Sequence, residues 1–319
     1  MSTTDDYIQR YLRRLMWFVV ALLVAIGAVN LVRSHLLGEA NRYQPASPLA
    51  PGEWAQSYSY AADDLHPFAF NPDGNGRSVF QAALAGNPVG LFFDSGNGHG
   101  LTVLQRIAER HRWPVVDQVE SYDAGGNLIA TRDVFVIPDV QLMGLELQEQ
   151  RAISAGNGPF GSFGWSLLGN GRLTLDYEHQ VAGFSKAAAN ANWPPTPNST
   201  RGVWHYLTPT GAMEGTVIIP VTVGGREVLA HIDTGASVSA IDPELASELS
   251  LRKNLLGRTN LEGLVVGPFS VDLPSVSVHS SRGVGRGLDK PVLMTLGADF
   301  LSRFLVTFDF GNQLFILVR

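Results

Sequence analysis

Residues 78–94, SVFQAALAGNPVGLFFD, alternate apolar and polar positions as far as Leu84, turn at Gly86, and run apolar again into an aspartate. Alternation, a glycine turn and a second apolar run predict a β-hairpin whose outgoing strand delivers Asp94 to the following loop. Residues 217–233, VIIPVTVGGREVLAHID, repeat the pattern without a gap at an offset of 139 residues. Val79 falls on Ile218, Phe80 on Ile219, Ala82 on Val221, Leu84 on Val223, Val89 on Val228 and Phe93 on Ile232, while Gly86 meets Gly225 and Asp94 meets Asp233.

A second match follows each hairpin. Residues 162–180 lie on 295–313 at an offset of 133, pairing Gly164 with Gly297, Leu168 with Leu301, Thr174 with Thr307, Asp176 with Asp309 and Gln180 with Gln313. From Asp94 to Gly164 is 70 residues and from Asp233 to Gly297 is 64, so the first copy has the longer middle. Short strand-like runs, frequent turn signals and only brief helical stretches, at 101–111 and 242–250, predict mostly β lobes made by an internal duplication. The boundaries expected are 61–184 for the first lobe and 204–319 for the second. An Ala/Asn/Pro-rich linker at 185–203 joins them, and an irregular juxtamembrane linker at 35–60 precedes them.

The pattern changes at the N-terminus. Residues 15–32, LMWFVVALLVAIGAVNLV, are uncharged and apolar apart from Asn30, and 18 residues of helix reach roughly 27 Å, close to the ~30 Å of a bilayer core. Arg10, Arg13 and Arg14 precede the run, so the positive-inside bias keeps the N-terminus cytoplasmic. Residues 1–34 are therefore expected to be a cytoplasmic end and a single transmembrane anchor. The lobes then lie on the far side of the membrane, periplasmic in a Gram-negative cell. The apolar run exceeds that of a cleaved signal peptide, and no A-x-A-like site follows it.

Composition narrows the chemistry. A net charge of −6 without a basic cluster gives no footprint for nucleic acid. The absence of cysteine removes disulfides, thiolate metal sites and cysteine nucleophiles. The eight histidines include no pair at helical metal-site spacing, so no metal or other cofactor is expected.

Two aspartates at the ends of equivalent strands are a more specific signal than either Asp-Ser-Gly or Asp-Thr-Gly alone, since such triplets are ordinary turn sequences. A hydrophobic strand ending in Asp-Thr/Ser-Gly, a later Gly-x-x-x-Leu helix and a final strand such as VTFDF resemble the aspartic proteinase family, with lobes of retropepsin-like size. The resemblance covers about 78–184 and 216–319 and implies a single-chain, two-lobed acid-protease fold. It also implies a catalytic dyad of Asp94 and Asp233, with Ser95, Gly96, Thr234 and Gly235 supporting the catalytic loops. Two carboxylates close enough to hydrogen-bond retain one proton between them, so one can act as base while the other acts as acid. The expected activity is peptide hydrolysis by an activated water, on protein or peptide substrates near a membrane, by a monomeric catalytic unit.

The longer middle of the first copy holds QVESYDAGGNLIATRD, whose turn chemistry predicts a hairpin. The resemblance makes it a flap, with Tyr122, Gly125 and Gly126 as candidate substrate contacts. Departures from the family pattern occur after each glycine, where Asn97 and Ala236 replace a hydroxyl residue, and before the late glycines, at Ser162-Phe163 and Thr295-Leu296. Without that hydroxyl, activity is expected to extend toward near-neutral pH. The alternative reading is a membrane-tethered peptide-binding module with the same fold and no turnover.

Overall fold

The computed structural model describes residues 16–17, 19–21, 53–70, 76–155, 160–186, 199–209 and 215–319. Residues 1–40 and 41–319 form two separate units, and the β architecture belongs to the second. Most of the expected span at 15–32 lies outside the described residues; among those described, no helix is long and apolar enough to cross a membrane.

Both predicted hairpins form. Ser78–Leu84 pairs with Asn87–Phe93, and Val217–Val223 pairs with Arg226–Ile232. Each is closed by two residues with positive φ, Ala85 and Gly86 in one and Gly224 and Gly225 in the other. That is the turn geometry whose twist matches antiparallel strands, and it is why a glycine recurs at this point.

Each hairpin opens a six-stranded barrel built in the same order. In the second lobe the closed barrel runs 217–223, 226–232, 292–296, 240–241, 269–278 and 258–266. In the first, the sequence 78–84, 87–93, 161–163, 101–104, 145–155 and 128–142 closes when 78–84 pairs again with 128–142. In both, the strand that carries the aspartate lies parallel to a later strand of its own lobe, 161–163 or 292–296. The duplication is thus one of topology as well as of sequence pattern.

A sheet between the lobes joins the barrels. Its strand order, 201–205, 314–318, 305–309, 172–176, 181–185 and 65–70, is the same read from either edge through the duplication. At its centre Thr174 stands opposite Thr307, with the two hydroxyls 2.9 Å apart. The matched threonines of the sequence therefore mark the pseudo-twofold axis. Every residue of 172–176 and 305–309 is buried. Leu173, Leu175, Val306 and Phe308 face the main core beneath the barrels, and the alternate positions face a second layer.

That second layer comes from residues 53–60, which sequence patterning assigned to the juxtamembrane linker. Glu53–Ser57 is a short helix, and Trp54, Ala55, Tyr58 and Tyr60 pack with Leu305, Ile316 and Val318. Trp54 Nε1 donates to Asp176 Oδ2 at 2.8 Å, the Tyr60 and Thr174 hydroxyls lie 2.9 Å apart, and Arg172 donates to Tyr58 O at 2.5 Å. Buried Thr174 and Asp176 would otherwise face water, so the segment supplies both apolar cover and partners. Likewise Arg201–His205, partly inside the expected inter-lobe linker, is an edge strand of the joining sheet.

Candidate active site

The two aspartates stand where the barrels meet. Backbone pairing fixes each one at the strand end: Asp94 N donates to Phe163 O at 2.9 Å, and Asp233 N donates to Leu296 O at 3.0 Å. The residue after each aspartate crosses to the other lobe. Ser95 N donates to Thr234 Oγ1 at 2.9 Å and Thr234 N to Ser95 Oγ at 3.0 Å. The hydroxyls in turn donate to Ile232 O at 2.8 Å and to Phe93 O at 2.9 Å. Four reciprocal bonds, all buried, clamp the loops about the pseudo-twofold axis. Serine and threonine suit the task because one oxygen both accepts and donates.

The glycines let the loops approach. A β-carbon on Gly235 would stand 2.5 Å from Asp94 Cγ, and one on Gly96 would stand 3.1 Å from Asp233 Cγ. Each glycine is thus packed against the opposite lobe's carboxyl, and Asp94 and Asp233 border one cavity. Gly96 N donates to Asp94 Oδ1 at 3.0 Å. Asp233 Oδ1 accepts two amides, from Gly235 at 2.8 Å and Ala236 at 3.1 Å. Burial at the cleft floor, reinforced by the neighbouring Asp233 charge, holds the Asp94 carboxyl well above the usual carboxylate range; Arg77 and the Gly96 amide oppose the shift. Like charges held this close cannot both ionise cheaply, so the pair keeps a proton.

The loops differ behind this symmetric front. Asn97 uses its side chain structurally: Nδ2 donates to Ser162 Oγ at 3.2 Å, and Oδ1 accepts from His99 N at 3.0 Å. Ser162 also lies 2.7 Å from the Thr102 hydroxyl, so this departure from the family pattern belongs to a polar brace. In the second lobe the brace is Asp299, which accepts from Ser239 N at 2.8 Å and Ser239 Oγ at 2.6 Å. Burial keeps the Asp299 carboxyl above its ordinary range. Asn97 and Ser162 stand out in the sequence only as departures from the family pattern, and Thr102, Ser239 and Asp299 not at all, because an isolated polar residue carries no periodic signal.

Strands Val115–Tyr122 and Leu128–Leu142 form the expected hairpin over the cleft. Its turn is tied by Asp123, which accepts Gly126 N at its carbonyl and Asn127 N at its side chain. Tyr122, 44% exposed, donates to Glu120 and borders two cavities, one of about 620 Å³ on the first-lobe side and one of about 200 Å³ toward the second. The tip rests on the second lobe: Gly283 N donates to Ala124 O at 2.9 Å, and Ala124 packs with Val284, Ile218 and Leu229. Gly125 and Gly126 lie against this contact, where a β-carbon on Gly283 would stand 2.6 Å from Gly126 Cα. Arg286 also borders the larger cavity.

Residues 219–285, which include Asp233-Thr234-Gly235, match the family model described as aspartyl protease. A crystal structure of aspartic proteinase from Irpex lacteus superimposes with a TM-score of 0.50 at 12% identity, covering 79% of this chain and 96% of that one. The chain has the aspartic proteinase fold. No curated protein matches it. The likeness to the aspartic proteinase family is thus carried by sequence in the second lobe and by fold across both. Within an aspartic proteinase fold, Asp94, Ser95 and Gly96 stand opposite Asp233, Thr234 and Gly235 at the junction of the lobes, and Tyr122, Gly125 and Gly126 lie in the overhanging hairpin.

Proposed function

We propose that the chain is an aspartic endopeptidase that hydrolyses peptide bonds with the Asp94/Asp233 pair and one water. The observation that carries this reading is the pair of carboxyls brought to one cavity by the reciprocal Ser95–Thr234 clamp, beneath the hairpin. Asp233 Oδ1 accepts two backbone amides, and Asp94 is held toward its protonated form by burial and by the neighbouring charge, so Asp94 is assigned the acid and Asp233 the base. In this assignment the Asp233 carboxylate takes a proton from water as the water oxygen bonds to the peptide carbonyl carbon. Asp94 gives its hydrogen bond to the carbonyl oxygen as negative charge develops there. The proton taken from water then passes to the leaving nitrogen, the C–N bond breaks, and a carboxyl and an amine result.

The substrates proposed are proteins or peptides near a membrane, with the chain tethered through residues 15–32 and the lobes across the bilayer from the N-terminus. The apolar run and its preceding arginines support that placement. The test is digestion of unfolded protein substrates by the full chain and by Asp94→Asn and Asp233→Asn. Cleavage by the parent, with peptide retained but uncut by both variants, is the expected result. Peptide binding without cleavage by the parent at any pH overturns the catalytic reading in favour of a binding module.

A further inference from the structure

Residues 252–258, RKNLLGR, carry three cations, and no carboxylate stands between Glu248 and Glu262, although the chain as a whole has a net charge of −6. Glu248 itself is bonded to Arg226, and neither Arg252 nor Lys253 has an ion pair among the described residues. The preceding leucines, Leu249 and Leu251, pack against the main core, whereas the next two do not. Leu255 is fully exposed, at 105% of its reference area, and Leu256 is 36% exposed. The turn holds them out. Asn254 Oδ1 accepts Leu256 N at 2.9 Å and Arg258 N at 3.0 Å, while Asn254 O accepts Gly257 N at 3.0 Å and Asn254 N donates to Arg258 O at 2.7 Å. Exposed apolar groups rimmed by polar ones mark contact surfaces.

Beside the turn lies a cavity of about 460 Å³, bordered by Arg252, Lys253 and Arg258 together with Asn254, Thr259 and Asn260, and by no carboxylate. Cations among amide and hydroxyl donors suit a phosphate group. The duplication locates the site. Arg258 stands opposite Ser277, which pairs in turn with Ala240. In the first lobe Phe135 stands opposite Ala152, which pairs with Leu101, the residue that falls on Ala240 at the offset of 139. Before Phe135 the first lobe has the hairpin that overhangs the cleft, and before Arg258 the second lobe has this turn. The turn therefore leaves its barrel at the edge from which the hairpin leaves its own.

We propose that the 252–258 turn is a membrane-surface site, taking the phosphate of an anionic phospholipid in the basic cavity and placing Leu255 and Leu256 among the acyl chains. Stable attachment takes two signals, apolar insertion and cationic attraction, and the turn has both. A free phosphate would fill the cavity and leave the leucines in water, whereas a lipid satisfies both features. The site is separate from the tether proposed at residues 15–32. Its consequence is orientation: the hairpin-side edge of the second barrel is brought to the bilayer, so that peptide segments close to the membrane surface reach the cleft. That consequence rests on the peptidase reading above; the lipid site does not.

The chain has no cysteine, so Leu256→Cys gives a unique point for an environment-sensitive fluorophore. Val203→Cys, 44% exposed on the edge strand Arg201–His205, gives a control. The labelled full chain is reconstituted into phosphatidylcholine vesicles and into vesicles with an equal share of phosphatidylglycerol. Emission from position 256 is expected to shift to the blue, and to be quenched by nitroxide-bearing acyl chains, only in the anionic vesicles, with position 203 aqueous in both. Arg252→Gln combined with Lys253→Gln is expected to lower the inserted ratio about 25-fold, roughly fivefold per cation. Equal emission in both kinds of vesicle, or a shift that survives the double change, overturns the proposal. So does an equal response to inorganic phosphate without vesicles, which makes the cavity a soluble-anion site. Raising salt to ~1 M, where the Debye length is ~3 Å, is expected to release the probe while the chain still floats with the vesicles. Flotation lost together with the probe overturns the tether at 15–32 and leaves this site standing; a probe that stays inserted overturns the role of the headgroup.

Discussion

Replacing Thr234 by valine tests the clamp that brings the two carboxyls together. The side chain is 1% exposed and valine is nearly isosteric, so the change removes one hydroxyl without opening a cavity. Two backbone groups lose their partner: Ser95 N–H, which donates to Thr234 Oγ1 at 2.9 Å, and Phe93 C=O, which accepts from it at 2.9 Å. Each orphaned buried group costs about 1–3 kcal/mol, giving roughly 2–6 kcal/mol in all. Thr234→Ser keeps both bonds and removes a single methyl, at about 1 kcal/mol. At ~2–4 °C per kcal/mol for a protein approaching this size, valine is expected to lower Tm by on the order of 10 °C and serine by only a few degrees. Urea unfolding of the parent and both variants, with peptide cleavage measured alongside, is the assay. The reasoning is refuted if valine unfolds within about 0.5 kcal/mol of the parent, the ordinary range for a surface change, or if serine is as damaging as valine.

Other consequences are equally specific. Gly235→Ala would place a methyl carbon 2.5 Å from Asp94 Cγ, and cleavage is expected to fall at least ~100-fold, the cost of a misplacement of about 1 Å; near-normal kcat/KM would contradict the close approach. Asp94 is raised above its unfolded value, so its contribution to stability is full below the ordinary carboxyl value and is lost as pH rises through the folded value. Asp94→Asn should therefore gain stability relative to the parent from pH 4 toward neutrality in urea titrations, and parallel curves would contradict it. Gly283→Ala pushes against Gly126 at the hairpin tip and is expected to speed amide exchange at 123–127 and raise KM several-fold; unchanged exchange there would show that the tip is held elsewhere. Trp54→Phe removes the bond to Asp176 and is expected to cost about 1–3 kcal/mol in chemical denaturation, against no effect if residues 53–60 are a detached linker.

The duplicated hairpins were legible because three signals coincide in each: alternation, a glycine at the turn and an aspartate at the strand end. Their apolar positions face a barrel core, so the period-two pattern survives in the letters. The joining sheet was only half legible. VTFDF and LTLDY looked like terminal strands, yet nothing local shows that Thr174 and Thr307 meet on an axis, since that contact depends on both lobes. The helix at 53–57 was hidden for the opposite reason: it is too short for a helical period, and its evidence is the long-range pairing of Trp54 and Tyr60 with the underside of that sheet. At the site, the aspartates and their Ser/Thr-Gly partners could be located from the motif, but the brace tying Asn97 and Thr102 to Ser162 could not, since its members stand 65 and 60 positions apart.

The central claim, that the carboxyls of Asp94 and Asp233 compete for one proton, is tested most directly by carbon-13 NMR titration of the chain labelled at aspartate carboxyls, with signals assigned through Asp94→Asn and Asp233→Asn. The account predicts one carboxyl of the pair still protonated well above pH 4, and a lower titration point for Asp94 once Asp233 is replaced. Two independent carboxyls, both titrating near the ordinary value of about 3.9 and each indifferent to loss of the other, would contradict it.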